Sequence, residues 1–90
     1  MTSKGMKFDG NKLRWSLLPW LPLKQVVAVI TFGALKYEPN NWQQIDNAAE
    51  RYTDSLIRHV SAHIEGEFLD PDSWLPHLAH AVCCALFLMW

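Results

Sequence analysis

The stretch Arg58-His59-Val60-Ser61-Ala62-His63-Ile64-Glu65-Gly66-Glu67-Phe68-Leu69-Asp70-Pro71-Asp72-Ser73-Trp74-Leu75-Pro76-His77-Leu78-Ala79-His80-Ala81 decides how this chain folds. It holds all four histidines of the protein, one arginine and four acidic residues, and both of its flanks read as helices. Upstream, Ala49, Tyr52, Leu56, Val60 and Ile64 recur at helical spacing, and Gly66 stands where a helix C-cap prefers glycine. Downstream, the apolar run to Trp90 begins behind Asp72 or Ser73 as N-cap, with Pro76 in the first turn. Two helices joined by a short acidic turn run antiparallel, so the end of one faces the start of the next. His59 and His63 are thereby expected to meet His77 and His80. Imidazoles and carboxylates converging on one spot hold a divalent metal or handle phosphate.

Working outward, the chain reads as one all-α domain over residues 1–90: an extended N-terminal arm over 1–19 and helices over 23–37, 47–65 and 73–90. In the first helix apolar side chains fall at Leu23, Val26, Val27, Ile30, Ala34 and Leu35, and Pro39-Asn40-Asn41 ends it. Its β-branched run from Val26 to Thr31 keeps a strand as the alternative. The second helix has Asp46 or Asn47 as N-cap, with Glu50 placed for a capping box.

Ninety residues, half of them apolar and five of them Trp, make a small domain that buries only about two thirds of its surface. The run Ala85-Leu86-Phe87-Leu88-Met89-Trp90 has no polar side chain, which leads us to expect a homo-oligomer; a buried terminal helix in a monomer is the competing reading. A net charge of −1 excludes a broad electrostatic footprint for duplex nucleic acid but allows a small anionic ligand held by a few cations. The N-terminal residues lack the apolar core of a signal peptide, and His77 and His80 interrupt the one long apolar run. A cytoplasmic protein without a membrane span is therefore expected. Cys83 and Cys84 are adjacent in a helical pattern and read as reduced core residues.

Three groups of residues carry candidate chemistry. Lys7, Asp9, Lys12 and Arg14 alternate with apolar residues in the arm, where three cations and one acceptor can fold over a polyphosphate; solvated surface charge is the plainer alternative. Lys36, Tyr37, Asn41 and Trp42 follow a helix containing Gly33 and can frame a base and a phosphate, while close helix packing is the ordinary reason for such a glycine. At the hairpin, Arg58, His59, His77 and His80 can bind phosphate directly. Alternatively, His59, His77 or His80 with Glu67 and Asp70 can form a mixed nitrogen and oxygen metal shell, or Glu67 and Asp70 can simply cap the third helix.

The blocks Lys7-Phe8-Asp9-Gly10-Asn11-Lys12-Leu13-Arg14, Leu17-Leu18-Pro19, Thr31-Phe32-Gly33-Ala34-Leu35-Lys36-Tyr37, Asn41-Trp42, Arg58-His59, Gly66-Glu67, Asp70 and His77-Leu78-Ala79-His80-Ala81 are similar, in order, to those of a phage and bacterial family. It is the dATP/dGTP diphosphohydrolase family, related to the all-α MazG-like nucleoside triphosphate pyrophosphohydrolases. The resemblance implies removal of pyrophosphate from a purine deoxynucleoside triphosphate with Mg2+ or Mn2+ on a helical, oligomeric scaffold. As such an enzyme, the chain is expected to hold the metal by Glu67, Asp70 and Asp54 or Glu50, with one imidazole, His59 as the candidate, serving as base or as orienter. The Glu-Glu-x-x-Glu block of MazG-like enzymes has no counterpart here, where the second helix offers only Glu50 and Asp54. The alternative is therefore a non-catalytic phage sponge that sequesters a host defence signal, such as a cyclic dinucleotide or a cyclic ADP-ribose-type molecule.

Overall fold

The computed structural model describes residues 5–90, so the first four residues of the expected arm lie outside the described part. Three α-helices follow one another: α1 (Trp20–Lys36), α2 (Ala48–Ile64) and α3 (His77–Met89). Short 3-10 turns, Trp15–Leu17 and Asn41–Gln44, precede α1 and α2. Among the described residues the strand-like pairing is a single isolated bridge, Leu69 with Pro76. The all-α expectation holds, and the strand alternative for the first helix falls.

α1 starts three residues before the expected Leu23, because Pro19 stands as its N-cap and Pro22 fits the first turn, where a missing N–H costs nothing. It buries Val26 and Val29, three apart on one face. α2 begins after Asn47, as expected, but Asn47 has a left-handed backbone (φ 58°) and makes no side-chain cap, so no capping box with Glu50 forms. A side-chain cap needs extended backbone at that position. At the other end Gly66 adopts φ 99°. Its N–H donates to the His63 carbonyl (3.1 Å) and that of Glu67 to the Ala62 carbonyl (2.9 Å), the paired bonds of a Schellman ending.

The start of α3 departs most from expectation: the helix begins at His77, not Ser73. Asp70 is the reason. Its Oδ2 accepts from the Asp72 N–H (3.2 Å) and the Ser73 N–H (3.0 Å), and its carbonyl accepts from the Trp74 N–H (2.8 Å). These bonds wrap residues 70–75 into a loop, Trp74 takes φ 60°, and extended Pro76 then caps the helix from outside. Helical backbone cannot pass through a left-handed residue.

α3 packs against both other helices. Contacts of His59 with His77 and of Tyr52 with Phe87 run in opposite chain directions, so α2 and α3 are antiparallel. Ala79 and Cys83 of α3 meet Val26 and Val29 of α1, with Leu75 and Phe87 packed alongside. The protein measures 56 × 31 × 23 Å with a radius of gyration of 17.5 Å, against about 12 Å for a compact chain of this length. No described helix is long and apolar enough to cross a membrane.

Candidate functional site

The α2 residues Arg51, Asp54, Ser55, Arg58 and His59 are spaced by three and four, so one helix face carries them all. That face is one wall of a cleft of about 750 Å³, within the range that small-molecule sites occupy. The end of α1 and the loop after it supply Gly33, Lys36, Tyr37, Asn41 and Trp42; the hairpin loop supplies Asp70 and Asp72; α3 supplies His80, Cys83, Cys84 and Phe87.

One end of the cleft is aromatic. Trp42 lies nearly parallel to Phe87 with centroids 4.2 Å apart, Trp90 meets Trp42 edge-on at 5.0 Å, and Tyr52 meets Phe87 edge-on at 5.2 Å. At the mouth Lys36 Nζ donates to Asp72 Oδ2 at 2.9 Å, an exposed ion pair that links the end of α1 to the hairpin loop and raises the lysine pKa, chiefly through that hydrogen bond. The thiols of Cys83 and Cys84 are free and buried, and burial pushes Cys83 up to about 12. At that value it is a packing group and no nucleophile.

The other end is the histidine cluster. His77 is only 4 % exposed, and both of its ring nitrogens are engaged. Nε2 lies 2.7 Å from Glu67 Oε1 and Nδ1 lies 2.8 Å from His59 Nδ1. A carboxylate only accepts, so Nε2 carries the proton and donates it, His77 Nδ1 is a bare lone pair, and His59 Nδ1–H donates to it. His80 stacks on His59 (4.6 Å, 13°), and its Nε2 lies 2.6 Å from Ser73 Oγ, which in turn donates to Asp70 Oδ2 at 3.2 Å. The relay assigns the proton of His80 to Nε2 and leaves Nδ1 basic. Burial, helped by the charges of His80 and His77, lowers the His59 pKa to about 4, and burial lowers His80 as well. Burial opposes ionisation of Asp70, but the Ser73 and Asp72 N–H bonds, the Ser73 hydroxyl and His80 outweigh it, and its pKa ends below the ordinary value.

Lys36, Tyr37, Asn41, Trp42, Asp54, Arg58, His59, Asp70 and His80 all line the cleft. Other candidate residues lie elsewhere. His77 does not line the cleft; it is buried, with Nδ1 against His59 Nδ1 and Nε2 against Glu67. Glu67 lies against His77 Nε2, and its carboxylate is not among the ligand atoms that gather with that of Asp70. Among the described residues the ligand atoms that come within 4.8 Å of one another are those of His59, Asp70 and His77, and Asp54 is not with them. This mixed set suits a divalent transition ion and is not the all-oxygen cage that Mg2+ prefers. His63 leaves the cluster and sits by Phe68, ring centroids 6.3 Å apart. Lys7, Asp9, Lys12 and Arg14 are exposed, and none lines the cleft. Arg51 escaped the sequence reading, although its position seven residues before Arg58 puts it on the same helix face. Gly33 is not a close-packing glycine, since a Cβ there would meet nothing within 4 Å.

Comparison with known proteins gives a consistent kinship. A relative from Salmonella phage PMBT28, a dATP/dGTP diphosphohydrolase, is 34% identical over 86 residues, covering 96% of this chain and 29% of its own length. The chain thus spans less than a third of that relative. No solved structure matches significantly. The family described as dATP/dGTP diphosphohydrolase, N-terminal, matches residues 2–90, and this chain belongs to it.

Proposed function

We propose that the cleft binds a purine deoxynucleoside triphosphate and that the hairpin residues hydrolyse it to the monophosphate and pyrophosphate. The observation that carries this reading is the α2 face, on which Arg51 and Arg58 stand two turns apart, about 10 Å along the axis, beside His59 and across from Asp70. From two turns apart, their long side chains can converge on one polyphosphate, each bridging two phosphate oxygens by paired hydrogen bonds. Trp42, backed by Phe87, offers the purine a rigid plate at the aromatic end. His80, oriented through Ser73 and Asp70, takes a proton from water through Nδ1 as the water oxygen bonds to the α-phosphorus. The bond from the α-phosphorus to the bridging oxygen breaks, and pyrophosphate leaves with its electron pair. A divalent ion, when held by His59, His77 and Asp70, supplies charge that polarises the phosphoryl oxygens.

The phage relative is a dATP/dGTP diphosphohydrolase, a hydrolytic activity that gives no support to the sequestering alternative. The test is mass spectrometry of each deoxynucleoside triphosphate after incubation with the protein and a divalent ion. Purine triphosphates should become monophosphate and pyrophosphate, and Arg58→Ala and Arg51→Ala should each lower kcat/KM by about 10- to 100-fold, in line with losing a charge-assisted phosphate contact. Purine nucleotide recovered intact would reject hydrolysis and return the sponge reading.

A further inference from the structure

We infer that His59, His77 and Asp70 form a site for a first-row transition dication of the manganese-to-zinc series, with Glu67 as the outer carboxylate that orients it. The inference shares its cleft with the proposed hydrolysis and deepens that reading, but it stands on the geometry of three side chains from α2, the hairpin loop and α3.

The two Nδ1 atoms face each other at 2.8 Å. Nitrogens bound to one ion at bond lengths of about 2.0–2.1 Å stand roughly 3.0–3.5 Å apart, so opening the pair by a few tenths of an ångström admits a metal once the His59 proton moves from Nδ1 to Nε2. His77 is already set for this: its Nε2–H is held by Glu67, which keeps the Nδ1 lone pair directed at His59. A carboxylate behind a histidine, fixing which nitrogen is free, is the usual support of a metal-bound imidazole. Asp70 is prepared in the same way. Every described hydrogen bond to its carboxylate falls on Oδ2, from the Asp72 N–H, the Ser73 N–H and the Ser73 hydroxyl, which leaves Oδ1 for an ion.

Two imidazoles and one carboxylate favour manganese, iron, cobalt or zinc; magnesium binds oxygen and parts reluctantly with its water. Three protein ligands also leave coordination positions open, where phosphate oxygens can enter. His80 is not among the side chains whose ligand atoms gather within 4.8 Å of one another; stacking on His59, it fixes the plane of that ring.

The experiment is a titration of chelator-treated protein with Co2+, without nucleotide, read by its visible ligand-field absorption. One Co2+ per chain should bind, Zn2+ should displace it, and a large excess of Mg2+ should not. His59→Ala should abolish the bands. Glu67→Gln, at a side chain 57 % exposed and safe for folding, should weaken Co2+ by about 10- to 100-fold. Absence of bands, displacement by equimolar Mg2+, or binding indifferent to Glu67→Gln would each overturn the site. Because nucleotide plays no part in this readout, binding without turnover would sink the hydrolysis and leave the metal site standing.

Discussion

The hairpin end and the outer face of α1 are built on opposite terms. Around His59, His77 and His80 the polar groups partner one another, and among the described residues no buried side-chain polar atom lacks a hydrogen bond. On α1, Trp20, Val27 and Leu35 remain 52 %, 53 % and 83 % exposed. No described side chain in the protein is completely buried. The hairpin satisfies its buried polar groups, while the outer face of α1 leaves its apolar burial unfinished. Specific bonds can therefore hold a side-chain cluster in place where the hydrophobic core is thin, provided that none of the bonds is lost.

That contrast can be broken at its strongest point. His77→Ala removes a buried ring and strands both the His59 Nδ1–H and the Glu67 carboxylate, so chemical denaturation should show a loss of about 2–4 kcal/mol. An unchanged midpoint would mean that the hairpin does not depend on its network. Acid should act on the same network more gradually. Because folding lowers His59 from 6.5 to about 4, and lowers His80 also, the unfolded chain takes up protons that the folded chain refuses. The stability involved is fully present above pH 6.5 and drains as pH falls toward 4, which thermal melts across that window should follow. A flat profile there would place both rings in water.

The opposite region is tested by charge. Val27→Glu, on the exposed face, should change monomer stability by no more than about 0.5 kcal/mol. If a second copy covers this face, as the composition leads us to expect, the same variant should drive sedimenting oligomer to monomer. A wild-type protein that sediments as monomer at every concentration would reject that cover. The smallest effect belongs to Gly33→Ala. With nothing within 4 Å of the added methyl, the helix should gain about 0.5–1 kcal/mol. Weaker nucleotide binding in that variant would show that the glycine keeps the cleft wall clear.

Much of this was legible in residue spacing. The α2 periodicity and Gly66 led to the hairpin, and the antiparallel argument brought His59 to His77 and His80. It failed for His63 because the loop from Gly66 to Pro76 is longer than a tight turn, so α3 starts opposite His59 and leaves His63 beside Phe68. The Asp-Pro-Asp-Ser run looks like a helix start, yet Asp70 spends its carboxylate on a loop, and the left-handed backbone of Trp74 has no signature in a residue of that type. Glu67 and Asp70 share the turn, as their positions between the helices indicate, but residue spacing does not show that the Glu67 carboxylate goes to His77 Nε2. Arg51 is readable from its seven-residue offset to Arg58, which puts both on one helix face.

The two sulfurs of α3 turn the thin core into something that can be timed. A thiol that ionises only near 12 is invisible to alkylating reagents at mildly alkaline pH while α3 stays seated on α1. Each modification at Cys83 therefore records a moment when the helix had lifted away. The labelling rate is thus a clock for transient opening, and a bound nucleotide or ion should slow it in proportion to how firmly it clasps the three helices.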